Sequence, residues 1–363
     1  MKTMLQAVNL IDDLNKYFIV DVRSPGEFNE ASIPGAVNVP LFTDEERVIV
    51  GTTYWKEGTD RAKLVGLSLV APKLPGMVES ILTGAAGREI VLYCWRGGMR
   101  SKSVAAVLDM LGYPVQLLLG GYKAFRRQVS SYLTEASLST PVFVLNGLTG
   151  VGKTLVIKQL QAMSAPALDL EAMANHRGSV FGGVGLGGPH SQKDFEVRLV
   201  LALKEHCGAP YLIVEGEGKR IGPVTVPEFF HQAMRNSPHI LLATTIDVRV
   251  QRIMDEYSGC AAENTEDLAK AVISLEKRLG REKCEMLSTQ IRTGNYGETV
   301  KILCTEYYDR YYKDSRQNKG DYLGVVDVTE ISAGAQKVVE IIAAYMEGRA
   351  EGNGGICGVG TDL

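Results

Sequence analysis

Two short stretches hold residue types that could handle sulfur and anions. The first is Leu92-Tyr93-Cys94-Trp95-Arg96-Gly97-Gly98-Met99-Arg100-Ser101. It lies between the apolar run Glu89–Tyr93 and the helical pattern Val104–Leu108, so its cysteine falls at the mouth of a helix N-terminus. There the partial positive charge, the backbone N–H groups and two guanidinium groups favour thiolate over thiol. Cys94 is the candidate nucleophile, with Arg96 and Arg100 as candidate anion stabilisers. A buried structural cysteine is the plainer alternative, and the glycine- and arginine-rich loop argues against it. The second stretch is Gly147-Leu148-Thr149-Gly150-Val151-Gly152-Lys153-Thr154, preceded by a buried-strand pattern from Thr140 to Asn146 and followed by the amphipathic Leu155–Leu160. That is a phosphate-binding loop in its required strand, loop and helix context. Gly147, Gly150 and Gly152 let N–H groups converge on a phosphate, Lys153 supplies a mobile charge and Thr154 can hold a magnesium ion.

Further residues fall into place around the second loop. The apolar run Pro210–Val214 ends in Glu215-Gly216-Glu217-Gly218-Lys219-Arg220. A carboxylate at a strand's C-terminal end beside a phosphate loop is placed to meet magnesium, and Glu215 lies nearest the strand. Thr154 and Glu215 are therefore the candidate metal contacts. Lys219 and Arg220 suit either a second anion or ordinary surface charge. The glycine-dense segment His176–Gly188 suits a mobile loop over a ligand or, equally on its own, a plain connector; Arg177 and Ser179 are its candidate contacts and Val180, Phe181, Val184 and Leu186 its apolar members.

The rest of the chain must position these groups. At 363 residues it exceeds what one core usually serves, so two domains are expected. A composition of 45% hydrophobic and 22% charged residues is that of a globular protein. The net charge of −3 provides no global attraction for nucleic acid, so RNA binding would need a local basic face. Cys94, Cys207, Cys260, Cys284, Cys304 and Cys357 form no C-x-x-C pair and no zinc-like spacing. With no signal-like N-terminus and no apolar run read as membrane-spanning, a reducing, cytoplasmic setting without membrane contact is expected.

Taken in order, Tyr17–Arg23 reads as a strand, Ser24-Pro25-Gly26 as a turn and Val37–Pro40 as a second strand. The runs D-V-R-S-P-G-E-F, I-P-G-A-V-N-V-P and Y-C-W-R-G-G-M-R-S, closed by G-G-Y at Gly120–Tyr122, resemble the rhodanese family of sulfurtransferases. The pattern departs from that family in carrying Ser32 where many members have histidine. Lys123, Arg126 and Arg127 near the end of this region suit a solvated helix face or a phosphate-contacting patch. Further on, Ser191 is a plausible cap for a helix reaching about Lys204, and His239–Thr244 reads as a strand. Residues 263–315 read as helical, with Lys277, Arg278, Arg281, Lys283 and Arg292 and then Tyr307, Tyr308, Tyr311 and Tyr312; such a region could grip RNA, and a solvated helical face is the favoured reading. Val325–Val328 and a helix from Ala333 to Met346 close the fold.

The expected fold class is α/β: an N-terminal rhodanese-like domain over 1–137 and a C-terminal P-loop NTPase-like parallel-sheet domain over 138–350. A helical insertion at about 261–315 and a flexible tail over 351–363 complete the division. The combination of C-W-R-G-G-M-R-S with G-L-T-G-V-G-K-T, H-R-G-S-V-F-G, E-G-E-G-K-R-I-G and D-V-R-V-Q-R-I resembles the tRNA 2-selenouridine synthases over nearly the whole chain. That resemblance implies replacement of sulfur by selenium in wobble 2-thiouridine of tRNA through an S-geranyl intermediate. Geranyl diphosphate and selenophosphate would be co-substrates, magnesium an optional ion and ATP not required. An enzyme that supplies selenophosphate would be a candidate partner. Cys94 would carry selenium or attack as a thiolate, and the phosphate loop would hold the diphosphate. Two alternatives stay open: an ATP-dependent sulfurtransferase acting on RNA, and a non-catalytic RNA-binding module whose phosphate loop grips tRNA.

Overall fold

A computed structural model describes residues 3–135, 138, 140–259, 261–310 and 322–353, of which 135 and 349–353 are described by backbone alone. Cys260, Tyr311, Tyr312 and the tail from 354 with Cys357 lie outside the described residues. The chain forms two compact units, one of residues 1–136 with 191–205 and one of residues 137–190 with 206–363.

The first unit is built on a five-stranded parallel sheet. Its strands are β1 (Thr3–Leu5), β2 (Tyr17–Asp21), β3 (Val37–Asn38), β4 (Glu89–Tyr93) and β5 (Val115–Leu118), in the order β1-β5-β4-β2-β3. Successive side chains alternate between faces, so Ile90, Leu92 and Cys94 enter one apolar cluster with Phe18, Val20, Val104 and Leu108. Val91 and Tyr93 enter another with Ile19, Tyr122, Phe125 and Val129. Burial on both faces explains why these strands read as unbroken apolar runs. The segment between β3 and β4, which sequence patterning left unassigned, is helical at Asp44–Glu57, Thr59–Val70 and Leu74–Ala85. The run Thr59–Ala85 is long and apolar enough, by length and composition, to cross a membrane, contrary to the sequence expectation. Pro72 and Pro75 interrupt its reading as one span, and Val70, Met77, Ile81 and Ala85 pack into the core.

The second unit also has a five-stranded parallel sheet: β6 (Val142–Asn146), β7 (Ala167–Leu168), β8 (Leu212–Glu215), β11 (His239–Ala243) and β12 (Gly324–Asp327), ordered β12-β11-β6-β8-β7. A short antiparallel pair, β9 (Arg220–Ile221) and β10 (Val224–Thr225), follows β8. Helices Thr265–Ile273, Glu276–Leu279, Arg281–Arg292 and Tyr296–Ile302 pack round Leu268, Val272, Leu287 and Ile291. Their cations are largely taken by their own acids: Arg281 by Glu285 (2.8 Å), Arg292 by Glu266 (2.8 Å) and Lys283 by Glu306. This pairing supports the solvated-face reading over an RNA grip. The last helix runs Ile331–Asn353, past the expected end at Met346, so residues 351–353 are helical rather than tail.

The helix Gln192–Glu205 departs from the expected division of the chain. Its Val197 and Val200 join Phe125 and Val129 in the first unit's core. Arg126 donates to Glu196 Oε2 (2.5 Å) and to the Lys193 carbonyl (3.1 Å), and Lys193 pairs with Glu30 (2.6 Å). Periodicity identifies an amphipathic helix, but not the helix Gly121–Glu135 that receives its apolar face. Replacing Val200 by Ala should therefore weaken the first unit by about 1–3 kcal/mol through lost burial and a cavity. Hydrogen exchange of amides in the helix Gly121–Glu135 should quicken in this variant, and unchanged exchange there would contradict the packing.

Candidate active sites

In the first unit the chain leaves β4 at Tyr93 and enters the helix Met99–Met110 at Gly98, so Cys94 stands between a strand's C-terminal end and a helix N-terminus. The loop is clamped from the following turn. Tyr122 N–H donates to the Cys94 carbonyl and Lys123 N–H to the Trp95 carbonyl, each at 2.9 Å. The approach is so close that Gly121, at φ +60°, cannot carry a side chain: a β-carbon would stand 2.2 Å from the Cys94 oxygen. The cysteine side chain is buried, and its Sγ lies 3.3 Å from Ser101 Oγ.

The expected anion stabilisers divide in the structure. Arg100 Nη1 donates to Glu27 Oε2 (2.6 Å), and Arg47 pairs with the same carboxylate (3.1 Å). Burial opposes charge on Glu27, but Arg100 and Arg47 outweigh it and hold its carboxyl below the ordinary value. Arg96 is exposed within the loop. The sequence reading missed the support beneath. Arg23, fully buried, pairs with Asp21 (2.5 Å), donates to the Ala31 carbonyl (2.8 Å) and lies 4.3 Å from the Tyr122 ring. The run D-V-R was visible in the sequence, but its partners Ala31 and Tyr122 are not adjacent to it.

In the second unit, Gly147–Thr154 follows β6 and opens the helix Lys153–Ala162. Two arginines of the helix Ile246–Ser258 hold this loop by its carbonyls. Arg249 Nε donates to Thr149 O (2.8 Å) while its two terminal nitrogens engage Asp309 (3.0 and 2.7 Å). Arg252 donates to Val151 O (2.6 Å) and Val328 O (2.6 Å).

Parallel pairing sets Leu145 opposite Glu215, which brings that carboxylate beside the loop, as its strand-end position predicts. Thr154 Oγ1 lies 3.1 Å from Glu171 Oε2 and 3.5 Å from Glu215 Oε2, and Glu171 N–H donates to Glu215 Oε1 (2.8 Å). Lys153 pairs with Glu217 at 3.6 Å. Glu217 stood behind Glu215 in the sequence reading and Glu171 was not picked out at all; the signal for Glu171 was the acidic Asp169-Leu170-Glu171 just beyond the short strand β7. Among the described residues no group of three or more His, Cys, Asp or Glu is gathered as a metal site. The donors beside the loop are instead a hydroxyl and two carboxylates. An all-oxygen set that leaves positions for water and phosphate suits magnesium.

The glycine-dense segment is pinned rather than free. Arg177 pairs with Glu256 (2.7 Å), donates to Val184 O (2.9 Å) and lies over the Tyr257 ring (4.6 Å). Ser179 Oγ accepts from Phe181 N–H (3.2 Å), and Tyr257 hydroxyl donates to Phe181 O (3.1 Å). Both expected contact residues therefore use their side chains to fix the segment. Gly178 between them is the point of approach: a β-carbon there would stand 2.6 Å from Glu171 Oε1 and 2.9 Å from Glu217 Oε2. Phe181 is buried with Leu268, Leu287 and Tyr308, so its truncation would disturb the helical core first; Val180, 44% exposed, is the cleaner position to vary.

The carboxylates carry a pH signature. Burial, then repulsion from Glu217, pushes Glu171 up to about 8, and burial with repulsion from Glu171 and Asp169 pushes Glu215 well above its ordinary value. The folded protein thus keeps protons that the unfolded chain releases. The resulting stability is complete below the ordinary value of 4.5 and is lost as pH rises through about 8. Exchange protection of β6 and β8 amides in the ligand-free protein should fall between about pH 5 and about pH 9, and Glu171→Gln should reduce that slope. An undiminished slope in the variant would contradict the assignment.

Comparison with known proteins adds to this geometry. Residues 140–331 match the family described as the tRNA 2-selenouridine synthase AAA domain, and residues 3–128 match the rhodanese-like domain. A tRNA 2-selenouridine synthase from Pseudomonas syringae pv. syringae is 36% identical over 339 residues, covering 84% of this chain and 90% of that protein. One from Sulfurovum sp. is 34% identical over 327 residues, covering 82% and 88%. A solved N-terminal domain of a putative ATP/GTP binding protein from Clostridium difficile 630 is 38% identical over 35% of this chain and 98% of its own, with a TM-score of 0.32. The cysteine loop and the phosphate loop each fall within one of the two family matches, and identity extends across both units: this chain belongs to the tRNA 2-selenouridine synthase family.

Proposed function

We propose that this protein replaces sulfur by selenium in wobble 2-thiouridine of tRNA through an S-geranyl-2-thiouridine intermediate, using geranyl diphosphate and selenophosphate. The observation that supports it is one chain holding a buried cysteine in an arginine-flanked loop and, separately, a phosphate loop with Lys153, Thr154 and two carboxylates. In the first step the thiouridine sulfur attacks C1 of geranyl diphosphate, a C–S bond forms, the C1–O bond breaks, diphosphate departs and the base releases its N3 proton to water. Loop amides at Gly147, Gly150 and Gly152 and the Lys153 ammonium stabilise the leaving charge. Thr154, Glu171 and Glu215 would hold a magnesium ion, which supplies further neutralisation of diphosphate. No nucleotide hydrolysis enters the scheme.

In the second step the Cys94 thiolate adds at C2 of the base and geranylthiolate leaves, taking its proton from water. Selenium from selenophosphate then adds at C2, Cys94 departs, and water removes the phosphoryl group as phosphate. Attack as a thiolate is preferred to carriage of selenium on sulfur. Direct abstraction of selenium from selenophosphate would expel phosphorus as phosphite and needs a further oxidant to reach phosphate. Arg96 would temper the charge near the sulfur, while Arg100, held by Glu27, would act on it less directly. A cytoplasmic enzyme that makes selenophosphate is the natural supplier.

Mass spectrometry of thiouridine-containing tRNA tests the reading. With geranyl diphosphate and magnesium the tRNA should gain a geranyl group, and addition of selenophosphate should convert it to the selenouridine mass. Cys94→Ala should keep geranylation and abolish selenation, whereas Lys153→Ala should slow geranylation by ~10²–10³. Equal loss of both steps in Cys94→Ala would contradict the division, and rapid ATP turnover without geranyl transfer would favour an ATP-dependent sulfurtransferase.

A further inference from the structure

Trp95 follows the cysteine directly, and its indole is 37% exposed while its aromatic neighbours Tyr93, Tyr122 and Phe125 are buried. Its underside is built. The ring lies 5.7 Å from Tyr122 at 37° and 6.0 Å from the Arg23 guanidinium. Tyr122 in turn packs on Phe125 (6.3 Å), and Arg23 is fixed by Asp21 and the Ala31 carbonyl. The Trp95 carbonyl is tied to Lys123 N–H. Two cationic side chains, Arg96 and Lys123, are exposed at adjoining positions.

A single exposed indole on a surface needs no explanation. This one differs in having a rigid aromatic and cationic backing and exposed cations nearby, one residue from the candidate nucleophile. Consecutive Cα atoms are ~3.8 Å apart, so this ring stands at the edge of the Cys94 loop, packed on Tyr122 of one apolar cluster while Cys94 enters the other. Trp55 supplies the contrast: it is 87% exposed and meets Tyr54 edge-on, at 6.2 Å. Aromatic faces flanked by Arg and Lys are how proteins hold unpaired bases of single-stranded RNA.

We propose that Trp95 is the stacking platform for the thiopyrimidine base that is modified, with Arg96 and Lys123 contacting the RNA backbone beside it. This rests on the reading that the chain modifies thiouridine in tRNA. The ring's underside is already occupied by Tyr122 and Arg23, so the base takes the opposite face. The platform is indifferent to whether the base bears sulfur, S-geranyl or selenium, because stacking reads the ring and not the substituent.

The sequence holds two tryptophans, Trp55 and Trp95, which makes the test direct. In the full-length Trp55→Phe protein, Trp95 is the sole indole reporter. Titration with an anticodon stem-loop RNA carrying 2-thiouridine at the wobble position should quench its emission saturably. The same stem-loop with an abasic wobble position should quench much less at equal occupancy, with occupancy read by anisotropy of a labelled RNA. Trp95→Ala should weaken binding by about tenfold, and Trp95→Phe should restore most of it without the indole signal. RNA that binds Trp55→Phe protein without changing Trp95 emission, or binds Trp95→Ala as tightly as wild type, would overturn the platform while leaving the tRNA reading intact. That outcome would point to a protein partner on this face. RNA that does not bind the wild type would overturn both.

Discussion

Behind each loop that is suited to an anion lies an arginine that is not itself in the loop. Arg23 sits under the Cys94 segment, locked to Asp21 and packed on Tyr122, whose backbone N–H holds the Cys94 carbonyl. Arg249 and Arg252 sit under the phosphate loop and take the carbonyls of Thr149 and Val151. A guanidinium has several donors in a fixed plane, so one side chain can pin a carbonyl and remain anchored elsewhere. With its carbonyls held from behind, a loop is set in one conformation before any ligand arrives. The arrangement is costly to break: removing one member of a buried pair such as Asp21–Arg23 leaves an uncompensated charge, worth about 3–5 kcal/mol.

The second unit adds an electrostatic tension to this scaffold. Glu171, Glu215 and Glu217 gather beside Lys153 and Thr154, and burial plus mutual repulsion pushes the first two above their ordinary values. Three carboxylates next to a loop built for phosphate would repel that ligand unless protons or a cation intervene. An ion held between Thr154 and the carboxylates would resolve both problems, since it removes the repulsion and gives the phosphate oxygens a partner. Asp309 ties Arg249, and through it the loop, to the end of the helical region, so the geometry of that region bears on the phosphate loop.

Local chemistry was legible in the sequence and long-range packing was not. The Cys94 and Gly147–Thr154 stretches could be read because a strand, a glycine-rich turn and a helix start are contiguous, and Glu215 because it ends an apolar run next in line. Glu171 stayed hidden since the strand before it, Ala167–Leu168, is too short to show a period. The glycine-dense segment looked mobile, yet Arg177 and Tyr257, eighty residues apart in sequence, decide its order. Likewise the helix Gln192–Glu205 showed its amphipathic pattern, but its receiving face, Phe125 and Val129, belongs to a stretch far earlier in the chain.

The central claim is that the two units perform separable halves of one base replacement. It is tested most directly by purifying S-geranyl-thiouridine tRNA made by the Cys94→Ala protein and giving it to the Lys153→Ala protein with selenophosphate alone. The account predicts selenouridine and released geranylthiol with no geranyl diphosphate present. Unchanged geranylated tRNA, under conditions where the wild type converts it, would contradict the claim.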